Sequence, residues 1–71
     1  SDTAEQLRGM FTAADYFALY HVDYRGDVRV SFRAGTKDVM QLAEDFGGGG
    51  HAKAAGATVS VHSWFEYLEA L

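Results

Sequence analysis

The chain has 71 residues, no cysteine, no proline and a formal net charge of −4. That length sustains one small domain with a limited core, and without cysteine neither a disulfide nor a thiolate metal site is available. The acidic balance argues against a broad grip on duplex nucleic acid, which needs a basic face, and no apolar stretch is long enough to span a bilayer.

Hydrophobic residues make up 48% of the chain, with five phenylalanines, four tyrosines and one tryptophan, so a folded domain is expected rather than disorder. Asp2 and Glu5 have capping-box spacing, and Leu7, Met10 and Phe11 share a helical face; a first helix is predicted over residues 3–13. Residues 16–24 are rich in aromatic and β-favouring side chains and read as a strand. Arg25-Gly26-Asp27 spells a cell-adhesion tripeptide, but between two strand-like runs it reads as a hairpin turn. In the return strand, residues 28–33, Val28, Val30 and Phe32 face one way and Arg29, Ser31 and Arg33 the other.

Asp38 and Gln41 are placed to cap a second helix with Val39, Leu42, Ala43 and Phe46 as its buried stripe and Gly47 as its stop. Its acidic residues Asp38, Glu44 and Asp45 read as a solvated face. Four glycines, Gly47 to Gly50, then lead into His51-Ala52-Lys53-Ala54-Ala55-Gly56. The alanines predict a short helical turn directly after the glycines. Residues 57–61 read as a short apolar strand. Ser63 and Glu66 form another capping-box pair, before a last helix lined by Trp64, Tyr67, Leu68 and Leu71. The order α-β-β-α-(short α)-β-α predicts an α/β (α+β) domain over residues 1–71, with a small mixed β-sheet covered by helices.

The glycine run removes every Cβ from one bend, so a ligand can approach the backbone closely. Amides at a glycine-to-helix junction suit an anion, phosphate above all, and His51 and Lys53 add side-chain donors. His21 reads as structural or solvent-facing and His62 as local, and the three histidines lack metal-ligand spacing.

The segment Gly47-Gly48-Gly49-Gly50-His51 with Ala54-Ala55-Gly56, the strand Val30-Ser31-Phe32-Arg33 and the helix of residues 39–46 together resemble the C-terminal DHH-associated domain of DHH-family phosphoesterases. That family includes nanoRNA and pAp phosphatases, RecJ-like exonucleases and cyclic-di-AMP phosphodiesterases, and is related to exopolyphosphatases. The resemblance implies a substrate-binding C-terminal fragment of a larger protein, and the absence of cysteine and of a visible signal peptide fits a cytoplasmic one. Catalytic manganese would be held by a separate N-terminal DHH domain, with no cofactor in this chain. Partners would be a short RNA or DNA oligonucleotide or a phosphorylated nucleotide, that N-terminal domain and a homodimer mate, with no membrane. Gly48, Gly49 and Gly50 would offer backbone contacts, His51 would bond a phosphate or sugar oxygen, Arg33 would fork onto a phosphate, and Ser31 and Lys53 would assist. Many relatives follow the strand arginine with serine; Ala34 stands there in this chain.

Two other readings compete with that one. The related C-terminal domain of alanyl-tRNA synthetases suggests an RNA-binding module, against which the acidic charge counts. A small oligomerisation domain would use the glycine bend only as a tight connection.

Overall fold

The structure, a computed structural model, describes residues 8–71. Strand β1 (Arg8–Thr12) leads into β2 (Tyr16–Val22) and β3 (Asp27–Ala34); helix α1 (Met40–Asp45) is followed by β4 (Gly49–Gly50), β5 (Ala54–Ser60) and helix α2 (Val61–Glu69). The five strands form one sheet in the order β1-β2-β3-β5-β4. The expected α+β class holds. The sheet itself is antiparallel at every pairing rather than mixed: β1, β2 and β3 follow one another as hairpins, the α1 connection carries the chain past one strand position to β4, and β5 returns between β3 and β4 in the opposite sense to both.

The predicted first helix is corrected over its described part. Residues 8–12 pair with β2 from Arg8 opposite His21 to Thr12 opposite Phe17. The helical spacing of Met10 and Phe11 is outweighed by that non-local ladder. The Asp2–Glu5 capping pair and Leu7 lie outside the described residues. The expected hairpin turn forms, but earlier than Arg25-Gly26-Asp27: β2 ends at Val22 rather than Tyr24, and Asp27 already belongs to β3. The Asp23 carboxylate accepts the N–H of Arg25 at 2.8 Å and of Asp27 at 3.1 Å, an Asx arrangement that ties the bend locally.

Alternation along β3 sorts its two faces as the sequence predicts: Val28, Val30 and Phe32 are buried, whereas Arg29 and Arg33 are exposed. The buried side meets Ala18 and Tyr16 of β2, Val39 and Ala43 from the α1 segment, Ala55 of β5 and Trp64 of α2 in one core. Trp64 stacks on Tyr67 and meets the rings of Phe32, Phe46 and Tyr20 at centroid distances of 5.5–6.1 Å. Both helices therefore cover the same face. The opposite face carries no helix among the described residues. No helix among them is long and apolar enough to cross a membrane.

Two caps set the helix positions. Gly47, at φ 86°, ends α1; its N–H donates to the Glu44 carbonyl and that of Gly48 to the Ala43 carbonyl, the paired bonds of a Schellman end. At the start of α1 the Asp38 carboxylate accepts the Met40 N–H, while Gln41 reaches forward to Asp45 instead of back. The last helix starts earlier than predicted. Ser60, not Ser63, is its cap, with its hydroxyl oxygen accepting the Ser63 N–H at 3.1 Å. Strand β5 consequently runs to Ser60, and Leu71, expected on the apolar face, is exposed.

Candidate functional site

The glycine run serves two structures in succession. Its first two amides close α1. Its last two residues form β4, opposite β5 with Gly49 facing Gly56 and Gly50 facing Ala55. No short helix follows: His51 and Ala54 exchange both backbone bonds, at 2.8 and 3.2 Å, and Ala52-Lys53 is the tip of a tight hairpin. Helix propensity of the alanines is overridden because their small side chains let β5 lie flush against a glycine strand. By ladder alternation Gly49 also bonds to Gly56, while the polar groups of Gly50 point away from β5.

Register then gathers the residues singled out from the sequence. Arg33 stands opposite Ala54, and Ala54 opposite His51, so the three lie in one row across β3, β5 and the hairpin end. Directly opposed side chains share a face; that face is the open one. The next row is Ser31, Gly56 and Gly49. Arg33 and His51 are two strand spacings apart, roughly 10 Å, with only Ala54, Gly56 and Gly49 between them as a low floor. Arg33, Gly49, Gly50, His51 and Lys53 are exposed, and Ser31 and Gly48 are half-buried.

The glycines differ in why they are glycine. A Cβ on Gly48 would collide with the Gly56 carbonyl oxygen and lie 2.7 Å from the Ala57 Cα. Gly50 has φ 147°, and its Cβ would lie 2.6 Å from the Ala55 Cα. Gly49 has no positive φ, and a Cβ there meets nothing within 4 Å. Internal packing requires the first two and leaves the third unconstrained.

Sequence reasoning named Lys53 but missed Lys37, which lines the same hollow from the loop after β3. The Asp15 carbonyl accepts the N–H groups of Gly35, Thr36 and Lys37 at 2.9–3.1 Å, which pins the loop after β3. The Lys53 carbonyl accepts the Ala34 N–H and the Ala52 carbonyl the Val39 N–H, so backbone bonds tie this loop to the histidine hairpin. Between them lies a hollow of about 230 Å³ lined by Thr36, Lys37, Asp38 and Lys53 among others. Lys37 Nζ sits 5.9 Å from the Tyr16 ring centroid, a cation–π distance. Among the described residues the N–H groups of Ala52 and Lys53 find no internal acceptor. Nothing local in the sequence marks Thr36 or Lys37; only the β3 and β5 ends bring them beside Lys53.

Among the described residues no three histidine, aspartate or glutamate side chains cluster to hold a metal ion. His62 instead faces Glu66 one helical turn on, at 3.6 Å. His21 is half-buried on the open face opposite Arg29.

A family profile, the DHHA1 domain, matches residues 1–71. The chain belongs to the DHHA1 domain family. DHHA1 domains are associated with DHH-family phosphoesterases and sit with an N-terminal DHH domain in the same protein. No curated protein and no solved structure matches the chain.

Proposed function

We propose that this DHHA1 domain binds the phosphate of a nucleotide and positions it for hydrolysis by an accompanying DHH domain. The observation that carries the reading is Gly49. It is a glycine without an internal reason to be one, at the floor between Arg33, Ser31 and His51, where a ligand would need the missing Cβ. Arg33 presents a planar fork suited to two phosphate oxygens. His51 donates a ring N–H to a phosphate or sugar oxygen, and Ser31 adds a hydroxyl. Gly48 and Gly50 act indirectly: they let β4 lie against β5 and so set the height of the floor. Lys37, Lys53 and the Ala52 and Lys53 amides raise the positive potential at one end of the cleft.

The hydrolytic chemistry would come from manganese ions held in the DHH domain. The part played by this chain is orientation, through Arg33 and Ser31 on β3 and His51 held by its paired backbone bonds with Ala54. Calorimetric titration with adenosine monophosphate tests it. Arg33→Ala is expected to cost roughly 1.5–3 kcal/mol of binding, the value of a charged hydrogen bond, with His51→Ala following in the same direction. Unchanged binding in both variants, or manganese-dependent hydrolysis by this chain alone, would contradict the assignment.

A further inference from the structure

The phosphate cleft occupies one end of the open face. At the other end, register aligns Arg8, His21 and Arg29 in a row across β1, β2 and β3, and beside it Met10, Leu19 and Ser31. With Gly9 and Tyr20 these residues bound a broad, shallow hollow of about 470 Å³, twice the size of the one beside Lys53. Ser31 belongs both to this hollow and to the row of Gly56 and Gly49, so the two regions are continuous.

The composition of the hollow is specific. The chain has six lysines and arginines in a net charge of −4, yet Arg8, Arg29 and Arg33 all stand on this one face. Between the cations lie two large apolar side chains, Met10 at 62% and Leu19 at 44% exposure. Among the described residues no acid lines the hollow; Asp23 and Asp27 stand at the β2–β3 turn. Asp27 begins β3, and Asp23 is held below its ordinary value by the Asp27 N–H first, with smaller help from the Arg25 N–H and from Arg29 and Arg25 as charges. Asp23 is thus already engaged with the turn backbone. Cations flanking an exposed apolar floor fit a ligand with separated negative charges and a flat apolar body. The Met10 thioether favours an aromatic ring at that floor, in the place where base-reading sheet faces carry aromatic side chains.

We propose that the row Arg8–His21–Arg29, with Met10 and Leu19 as its floor, seats a second phosphate-and-base unit of a single-stranded oligonucleotide. It rests on the phosphate-holding role given above to Arg33 and His51, which take the first unit. Arg29 and Arg33 lie four residues apart on one strand, roughly 13 Å, so the two forks stand far enough apart to serve different phosphates of one strand. The ligand runs along β3 and needs more than a mononucleotide to fill the face.

The test is titration of the chain with adenosine monophosphate and with a 5′-phosphorylated single-stranded tetra-adenylate across a salt series. The tetramer is expected to bind at least tenfold more tightly. Arg29→Ala and Arg8→Ala should each flatten the tetramer's log–log salt slope by about 0.7 and leave monophosphate binding unchanged, while Arg29→Lys retains the slope. Both arginines are exposed, and circular dichroism checks that the variants fold. Equal affinity for the two ligands, or a tetramer slope insensitive to Arg29→Ala, overturns the second seat. The first seat then still stands if Arg33→Ala weakens monophosphate binding at least tenfold. A glutamate-rich peptide that binds as tightly as the tetramer also overturns it, since the floor would then select charge alone. Failure of both nucleotides to bind overturns both seats.

Discussion

The two faces of this sheet are built from the same strands and obey different rules. On the covered face Val28, Val30 and Phe32 meet Ala18, Ala55, Val39, Ala43 and Trp64, and each side chain is accounted for by its neighbours. On the open face the intervening residues, Arg29, Ser31 and Arg33, line up with Leu19, His21, Gly56 and Ala54, and nothing in the described chain packs over them. The same contrast recurs inside the glycine run, where Gly48 and Gly50 answer to the packing of β5 and Gly49 does not. Residues that the fold explains belong to stability. Those it leaves unexplained, gathered on one surface, are where a ligand is to be sought.

The comparison breaks most visibly at Trp64. It is fully buried, and its indole N–H has no hydrogen-bond partner among the described residues, so its contribution is apolar packing. Trp64→Ala is expected to lose about 3–5 kcal/mol in chemical denaturation, enough to threaten folding of a domain this small. A loss below 1 kcal/mol would mean that the covered face is not the core.

Gly48→Ala comes next. Its new methyl meets backbone atoms of β5, which cannot turn aside as a side chain would. A cost of roughly 1–3 kcal/mol is expected from such overpacking, read as a lower denaturation midpoint, with nucleotide binding weakened only as the fold is.

A smaller effect sharpens the covered face at its rim. The Tyr16 and Tyr67 hydroxyls share a hydrogen bond of 2.6 Å. Burial, and then the Tyr67 hydroxyl, push the Tyr16 hydroxyl above its ordinary value. The unfolded chain therefore releases this proton first as pH rises. The stabilisation is complete below about pH 10 and is lost progressively above it. Tyr16→Phe should cost about 1 kcal/mol at neutral pH and remove this part of the alkaline slope, measured as denaturation midpoints across pH.

Much of this was legible in the chain itself. Alternation in residues 28–33 announced the two faces of β3, and Gly47 announced the end of α1, because both signals are local. The strand at residues 8–12 was not legible: Met10 and Phe11 suit a helical face equally well, and only pairing with β2 decides. Ala54 and Ala55 misled for the opposite reason, since their strong helix preference yields to a glycine partner strand that a propensity scale cannot see. Arg33, Ser31 and His51 could be named from the sequence. That Ala54 joins Arg33 to His51 in one row, and that Thr36 and Lys37 close in beside Lys53, are consequences of register.

The measurement that bears most directly on the open face is a single substitution read two ways. Gly49→Ala places a methyl on the cleft floor where no atom of the chain lies within 4 Å. Its denaturation midpoint should match the parent within about 0.5 kcal/mol, while adenosine monophosphate binding falls at least tenfold. A variant equally stable and equally able to bind the nucleotide would show that the space above Gly49 is not where the phosphate sits.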